Sequence, residues 1–260
     1  MTMDEFVRIV EEIAPREAAC EWDNTGLLLR CGETVERVLV ALDATAEVAD
    51  EAIAGGFDML LVHHPAIFSP KKALDHRSPT DAVIMKLLRA GISLYAAHTS
   101  FDKAAGGIND MLAQRLGLED VRTVSGPEDG LMRVGKLDAP METAAFLDLV
   151  KRAVGADGLR VTEGSGAKIK TVAVLGGSGG DFVAAAHAAG ADALVTGEAK
   201  HHHFLEAAES GLLLVEAGHF ATERGFVDEI FMSLQARLNE VQLHVHCEKA
   251  QCINAPYRFV

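Results

Sequence analysis

The stretch RVLVALDATAEVADEAIAGGFDMLLVHH, residues 37–64, decides the fold. It opens with the short apolar run RVLVAL (37–42) and closes with a second one in FDMLLVHH (57–64). Between the two runs, Val48, Ala52 and Ile53 fall at helical spacing before the pair Gly55-Gly56. Short apolar strands that alternate with helices are typical of a mostly parallel sheet covered by helices. The stretch therefore predicts strand, helix and strand in an α/β protein.

The sequence on either side follows the same alternation. Thr2 and Glu5 have the spacing of a capping box, which predicts an amphipathic helix at the start of the chain. A helix over about 80–90 leads through Gly91 into the apolar strand 92–97, and His98 follows that strand directly. Ligands of α/β proteins collect at the carboxyl ends of parallel strands, so polar residues at these ends are candidates for a functional site.

The strand and helix pattern occurs twice along the chain. Residues 37–42 align with 170–175 at an offset of 133, and residues 56–61 align with 190–195 at an offset of 134. Residues 91–95 align with 211–215 at an offset of 120. Each copy then ends in a histidine followed four residues later by a carboxylate, His98 with Asp102 and His219 with Glu223, both at an offset of 121. The pattern indicates an internal duplication.

The duplication predicts two α/β domains of similar topology. The first is expected to comprise 1–125, completed by 215–260, and to carry His63, His64 and Asp102. The second is expected to comprise 126–214 and to carry a glycine-rich loop.

The composition disfavours several classes of protein. The chain has 260 residues, 49% of them hydrophobic, so it can bury a sizeable core without disulfides. Its 38 acidic and 24 basic residues give a formal charge of -14, which repels nucleic-acid phosphates on average. No apolar run reaches the roughly 18 residues that a membrane-spanning helix requires. Nucleic acid and membrane partners are therefore not expected.

The cysteines and the first residues indicate the compartment. Cys20, Cys31, Cys247 and Cys252 show neither a metal-binding nor a disulfide-framework spacing. The opening residues MTMDEFVRIVEEI form an acidic amphipathic segment rather than a secretion signal. We expect a protein of the reducing cytoplasm.

Two adjacent histidines, His63 and His64, end an apolar strand just before Pro65. Neighbouring side chains of a strand point to opposite faces, but a chain that leaves the strand at proline can turn both imidazoles toward one point. Alternatively, His63 packs as a polar core residue and His64 only ends the strand.

Three further residues favour the metal-binding alternative. His219 and Glu223 reach the same side if their turn is helical, although a solvated helix start would have the same spacing. Imidazole and carboxylate ligands suit Zn, Fe, Mn or Co. With Asp102, His63 and His64 there are five candidate ligands, which is more than one ion needs. Five ligands can hold two ions if a carboxylate bridges the two ions. Two ions about 3.5–4 Å apart can activate water, so the set predicts a hydrolytic centre.

His98 lies at the carboxyl end of a strand and allows three roles: a sixth ligand, a residue that orients a ligand, or a proton shuttle. The ordinary pKa of histidine, near 6.5, suits acid–base work at neutral pH. We favour a catalytic role in proton transfer or orientation over a purely structural one.

Two further motifs are weaker candidates. The loop Gly176–Gly180 joins a strand to a helix, so backbone N–H groups around Gly177, Ser178 and Gly179 could receive an anion such as phosphate. The alternative is a tight turn that only requires a positive φ. The run 201–203 contains three histidines at the start of a helix, where most such runs face solvent.

With these residues assembled, the chain resembles the NGG-interacting-factor-three-like dinuclear metal-centre family, whose bacterial members are often labelled GTP cyclohydrolase 1 type 2 homologues. The resemblance covers nearly the whole chain. The motifs that carry it are WDNTGL at 22–27, HHP at 63–65, HTSFD at 98–102, GGSGG at 176–180, TGEAKHH at 196–202 and GHFATE at 218–223.

The resemblance implies a site and an assembly. It makes the same five residues the metal ligands and places His98 beside them without making it a ligand. It also implies that Glu198 and His202 lie near the cavity rather than on the metals. The implied fold is two intertwined three-layer α/β domains with mixed, mostly parallel sheets, assembled as a toroidal homohexamer.

Three functions remain open on the sequence alone. The first is a metal-dependent hydrolase of a nucleotide-like or other phosphate-bearing substrate, of which GTP ring opening is one instance implied by the resemblance only. The second is a non-catalytic ring that stores, delivers or senses metal, or that serves as a regulatory scaffold. The third, a DNA-binding regulator, has the acidic balance of the chain against it.

Overall fold

A computed structural model describes residues 1–258 of the chain. In chain order its helices and strands are α1 (Met3–Ile13), β1 (Gly26–Leu29), β2 (Arg37–Ala41), α2 (Ala46–Ala54), β3 (Met59–Val62), α3 (Pro79–Ala90), β4 (Ser93–Ala96), α4 (Thr99–Lys103), α5 (Ile108–Arg115), β5 (Glu119–Thr123), β6 (Arg133–Met141), α6 (Thr143–Val154), β7 (Arg160–Val161), β8 (Ile169–Ser178), α7 (Val183–Ala188), β9 (Ala193–Glu198), α8 (His201–Ser210), β10 (Leu213–Glu216), α9 (His219–Glu223), α10 (Phe226–Glu240) and β11 (His246–Lys249).

The chain forms two compact units, and each is discontinuous in sequence. Unit 1 comprises Met1–Gly107 and Phe226–Asn254, and unit 2 comprises Ile108–Gly225 together with residues 255–258. Relative to the predicted boundaries, residues 108–125 and 215–225 fall in unit 2 rather than in unit 1. The physical reason is that α5 packs against β6 and β8, and α9 packs against β8 and β9.

Unit 1 is built on a mixed sheet with the strand order β1-β4-β3-β2-β11. The four strands β4, β3, β2 and β11 are parallel to one another. β1 lies at the edge and runs antiparallel to β4. The β3 residues 59–62 are all buried, as a strand covered on both faces requires.

Helices cover both faces of the unit 1 sheet. Leu39, Leu60 and Leu94 belong to a core cluster that includes residues of α2 and α3. Side chains alternate along a strand, so the neighbouring buried residues Met59 and Tyr95 point to the opposite face. On that side α10 packs against β2 and against α1. The three-layer α/β arrangement expected from the sequence is confirmed.

Unit 2 contains a mixed sheet with the order β5-β6-β8-β9-β10-β7. Its centre, β8-β9-β10, is parallel, whereas β5, β6 and β7 pair antiparallel with their neighbours. This sheet is therefore mixed with a parallel centre, in agreement with the expected fold class.

The two units repeat the same strand unit at the level of individual pairs. Val38 of β2 pairs with Met59 of β3, and Val172 of β8 pairs with Ala193 of β9. Each residue of the second pair follows its counterpart in the first pair by 134 positions. The offset of 133 used to align 37–42 with 170–175 therefore placed the first strand one residue out of register. A shift of one residue exchanges the two faces of a strand, which makes this correction important for assigning equivalent side chains.

One carboxylate in each unit marks the repeat independently. Asp58 accepts hydrogen bonds from the backbone N–H groups of Glu36 and Arg37, at 2.8 and 2.9 Å. Asp192, 134 residues later, accepts bonds from Lys170 and Thr171 at 2.9 and 2.8 Å. These hydrogen bonds and the strand pairing both show that residues 37 and 171 are equivalent.

Two further predictions concern the surroundings of the chain. Across residues 1–258, no helix has both the length and the apolar character needed to cross a membrane. The aromatic residues within 256–259 predict that the tail either contacts a neighbouring subunit or folds back onto its own domain. Tyr257 belongs to unit 2, and Phe259 lies outside the described residues.

Candidate metal centre

The two adjacent histidines lie where β3 ends. The backbone N–H groups of His63 and His64 both donate to the carbonyl of Leu42, each at 3.1 Å. One carbonyl serving two successive N–H groups means that the chain has left the extended path, in which successive N–H groups point apart. The two rings consequently lie together, with centroids 4.7 Å apart.

Hydrogen bonds to Nδ1 fix the tautomer of both rings. His63 Nδ1 lies 2.9 Å from the carbonyl oxygen of Ala97, and His64 Nδ1 lies 2.7 Å from Asp43 Oδ1. Carbonyl and carboxylate oxygens only accept hydrogen bonds, so Nδ1 is the donor in both rings. In the neutral imidazole, Nε2 then carries the lone pair. This is the arrangement found in metal-binding histidines, whose second nitrogen is held by a carbonyl or carboxylate.

His98 precedes α4 and is oriented in the same way. Its Nδ1 donates to Asp23 Oδ1 at 2.8 Å, while Asp23 Oδ2 accepts from the backbone and the hydroxyl of Thr99. Burial alone would raise the pKa of the Asp23 carboxyl, but the bonds from His98 and Thr99 outweigh burial and hold this pKa below its usual value. Asp23 is therefore an ionised partner for the His98 ring.

Three of the histidines of unit 1 form one cluster. His63, His64 and His98 each offer a nitrogen within 4.8 Å of the others. Asp102, on α4, places Oδ1 3.7 Å from His63 Nε2, and both side chains are buried. An imidazole nitrogen and a carboxylate oxygen that face each other in this way are both suitable ligands of one divalent ion. The donor set fits a divalent metal.

Unit 2 contains a second histidine–carboxylate pair on α9. His219 Nε2 lies 2.9 Å from Glu223 Oε2, and His219 Nδ1 lies 3.2 Å from Glu198 Oε1. The Glu223 side chain is buried, whereas Glu198 is exposed at the end of β9. The two residues of α9 thus present one nitrogen and one carboxylate oxygen to a common point, as ligands of one ion do.

The predicted glycine-rich loop is largely the end of β8, which runs to Ser178, and close packing explains its glycines. Gly177 has φ +63°, and a Cβ there would lie 2.1 Å from Glu223 Oε1. The Gly177 N–H donates to Thr222 Oγ1 at 3.2 Å. A Cβ at Gly179 would lie 2.4 Å from Thr196 Oγ1. These glycines make room for polar side chains, and Gly177 makes room for a predicted ligand.

Ser178, the remaining residue of that loop motif, lines an open cavity of about 300 Å³ in unit 2. Arg160 and Lys200 bring positive charge to its wall, and Glu198 and Glu216 bring negative charge. Arg160 is paired with Glu216 at 2.9 Å. Lys200 and the Ser178 hydroxyl are therefore the groups of this cavity best suited to an anion.

The histidine run at 201–203 divides by role. His203 is buried, accepts a hydrogen bond from the Lys200 N–H at Nδ1 and donates from Nε2 to Asp181 at 3.0 Å. His202 is exposed, and its ring centroid lies 4.0 Å from that of His203. Together with Asp181 the two rings form a histidine–carboxylate group. Because both nitrogens of His203 are engaged at the helix start, this group is a poorer metal site than the histidine cluster of unit 1.

Sequence reasoning missed the carboxylates that orient the histidines. Asp43 directly follows the last buried residues of the β2 run, and its position at a strand end could have identified it. Asp23 lies within the motif WDNTGL, but its partner His98 is 75 residues away. Glu198 was expected near the cavity, and its contact with His219 was not foreseen.

Comparison with known proteins identifies the family of the chain. The family model Duf34/NIF3 (NGG1p interacting factor 3) matches residues 1–256. A "GTP cyclohydrolase 1 type 2 homolog" of Clostridium perfringens is 32% identical, over 92% of this chain and 93% of that protein. A "Protein NIF3 homolog" of Schizosaccharomyces pombe is 33% identical, over 86% of this chain and 85% of that protein.

A solved structure supports the same assignment. The Bacillus cereus protein related to NIF3 superimposes with a TM-score of 0.93 at 25% identity, covering 100% of this chain and 99% of that one. Sequence and fold agree along the whole length, and the resemblance inferred from the motifs is confirmed. The chain belongs to the Duf34/NIF3 family.

Proposed function

We propose that this protein is a metal-dependent hydrolase of a nucleotide-like or other phosphate-bearing substrate. Two divalent ions, of Zn, Fe, Mn or Co, would be held by His63, His64, Asp102, His219 and Glu223. The observation that carries the proposal is the His63 tautomer, because its Nε2 lone pair faces the buried Asp102 carboxylate at 3.7 Å. His219 and Glu223 provide a second such contact at 2.9 Å.

When bound, divalent ions would supply Lewis acidity and lower the pKa of a water molecule so that it can attack at neutral pH. The contribution of the protein is orientation. Asp43 holds the His64 ring through Nδ1, and Glu198 contacts Nδ1 of His219. Such partners fix the ring and increase the basicity of the other nitrogen.

His98 is the proposed acid–base residue. Its Nδ1–H is held by the ionised Asp23, so Nε2 can accept a proton from water and return it to a leaving group. Asp23 would stabilise the imidazolium formed in that step, as the carboxylate of a catalytic triad does. The side chain is 15% exposed, which leaves it within reach of a substrate.

Gly177, Ser178 and Gly179 are proposed anion contacts, and Glu198 and His202 are proposed to lie near the cavity. Ser178 has the best support because it shares a cavity wall with Lys200. Gly177 has less support because its N–H already donates to Thr222. A phosphate group would gain a hydroxyl donor and one cation from Ser178 and Lys200.

A cytoplasmic homohexameric ring belongs to the same proposal. Its support is family membership, and four cysteines in the thiol form suit a reducing compartment. The ring should keep its subunit contacts when metal is removed. Light scattering before and after chelation tests this, since a monomer in both states refutes the ring and a monomer only after chelation refutes its independence from metal.

The test of the activity is elemental analysis of the untagged protein followed by a hydrolase screen with nucleotides and phosphate esters. Metal-loaded protein should turn over at least one substrate, and chelated protein should not. Reloading with metal should restore the rate. Metal bound without turnover of any compound would contradict the hydrolase and favour storage or delivery of metal.

A further inference from the structure

Two large aromatic side chains of unit 1 lie at the surface beside the histidine cluster. Trp22, in the loop before β1, and Phe68, in the loop after β3, are each 50% exposed. Their ring centroids are 5.9 Å apart at an interplanar angle of 45°. Leaving such rings half in water forgoes part of the stabilisation that full burial of an aromatic side chain provides. An exposed aromatic pair therefore indicates a contact with something else.

The two loops that carry these rings are tied together. The Asn24 side chain donates a hydrogen bond from Nδ2 to the carbonyl of Ile67. Asn24 lies two residues from Trp22, and Ile67 is adjacent to Phe68. Asp23, between Trp22 and Asn24, is itself anchored by His98 and Thr99. The rings are thus held in place rather than carried on unattached loops.

Both rings flank His98. The Trp22 centroid lies 6.1 Å from that of His98, and the Phe68 centroid lies 6.3 Å from it. Both contacts are nearly perpendicular, at 72° and 77°. An edge-to-face contact with one neighbour leaves much of a ring face available for stacking with another. A ligand stacked there would lie next to the proposed acid–base residue.

We propose that Trp22 and Phe68 bind the planar heteroaromatic base of a nucleotide substrate, which places the reacting part of that substrate at His98. The inference rests on the proposed function and specifies its substrate class. Because the rings are inclined by 45°, one face stacks on the base and the other ring meets its edge. A protein partner seated on the same rings would cover His98 and close the site, so a small planar ligand is the occupant that leaves it usable.

The energetic expectation follows from known stacking contacts. Stacking of a base on an aromatic side chain contributes about 1–3 kcal/mol, which corresponds to roughly 5- to 150-fold in affinity. The formal charge of -14 disfavours a long polyanion, so a single nucleotide fits better than a nucleic-acid strand.

The chain provides its own reporter, because Trp22 is its one tryptophan. The experiment titrates the metal-loaded protein with GMP, AMP, CMP and UMP while tryptophan fluorescence is followed. Ribose 5-phosphate, which lacks a base, is the matched ligand control. At least one nucleotide should quench the fluorescence with saturation, and ribose 5-phosphate should not.

Variants then locate the contact. Phe68→Leu and Trp22→Leu should weaken nucleotide binding by at least about 5-fold in calorimetry. Met232→Ala, at a side chain on α10 that is 55% exposed, is the control and should leave the affinity unchanged. Each variant is also analysed for metal, so that a change in base binding is not confused with metal loss.

The outcomes separate the two proposals. If no nucleotide quenches, or if Phe68→Leu and Trp22→Leu both bind as the unmodified protein does, the base-stacking proposal is overturned even when metal-dependent hydrolysis is found. If stacking is found but no metal is bound and no substrate is hydrolysed, the proposed function fails and the base site stands.

Discussion

The two units build the same strand core and equip its ends differently. In unit 1 the residues after β3 are His63 and His64, whereas the equivalent positions in unit 2 are Gly197 and Glu198. The imidazoles of unit 1 cluster with His98, and the glutamate of unit 2 contacts His219. Equivalent backbone positions in a duplicated fold can therefore carry different functional side chains.

Relative to the strand that precedes it, the pair His219 and Glu223 lies one residue further along the chain than the pair His98 and Asp102. Ala97 and Ala217 donate equivalent backbone bonds to Val62 and Thr196, both at 2.8 Å, so the structural offset here is 120 rather than 121. His98 is therefore the cap of α4, whereas His219 is the first residue of α9. One residue rotates a helical side chain by about 100°. This rotation explains why Asp102 meets His63, while Glu223 meets the histidine of its own pair.

The largest expected effect is loss of metal when a ligand of either unit is removed. Asp102→Ala and Glu223→Ala should each lower bound metal by about one ion per chain or more, because both are proposed carboxylate ligands of a two-metal centre. Elemental analysis of purified protein measures the change. Asp181→Ala, in the third histidine–carboxylate group, is the control and should keep the full metal content. Unchanged metal in both ligand variants would refute the assignment.

The next effect separates His98 from the ligands. His98→Ala should retain both metals and slow hydrolysis by about 10²- to 10⁴-fold, the usual contribution of a positioned acid or base. Steady-state rates and metal content are measured on the same samples. If metal leaves with this side chain, His98 is a ligand and its assigned role is incorrect.

A smaller effect should distinguish the carboxylates that orient each histidine. Asp43→Asn and Glu198→Gln should weaken metal affinity by about 10- to 100-fold, the usual cost of losing a partner of a ligand. Asp23→Asn should lower the rate but leave metal affinity unchanged, because its partner is His98. Competition with a chelator of known affinity provides the measurement. Equal weakening in all three variants would place His98 among the ligands.

The smallest effect tests the equivalence of the backbones. Asp58→Ala and Asp192→Ala each remove an acceptor of two backbone bonds and should destabilise the fold by about 1–3 kcal/mol. Thermal unfolding of the two variants should show similar shifts. A shift in only one of them would show that the two carboxylates do not have the same role.

Much of the fold could be predicted because its signals are local. The strands expected at 37–42 and 92–97 appear as Arg37–Ala41 and Ser93–Ala96, since apolar runs need only their own residues to be recognised. The repeat was also visible, but side-chain similarity could not fix its register. Backbone pairing and the Asp58 and Asp192 bonds fix it.

The candidate site was predicted less completely. Histidines and carboxylates at strand ends were evident as residue types, but the partner of each ring depends on contacts distant in sequence. His98 meets Asp23 across 75 residues, and His64 meets Asp43 across 21. The glycine-rich loop resembled an anion site, whereas at Gly177 the missing side chain makes room for Glu223.

The proposal that five histidine and carboxylate side chains bind two divalent ions can be examined by anomalous X-ray diffraction from metal-loaded crystals. Two anomalous peaks per chain are expected. Every one of His63, His64, Asp102, His219 and Glu223 should place a ligand atom within about 2.0–2.3 Å of a peak. Peaks beside Asp181, His202 and His203 instead, or no peak near the five residues in fully loaded protein, would contradict the claim.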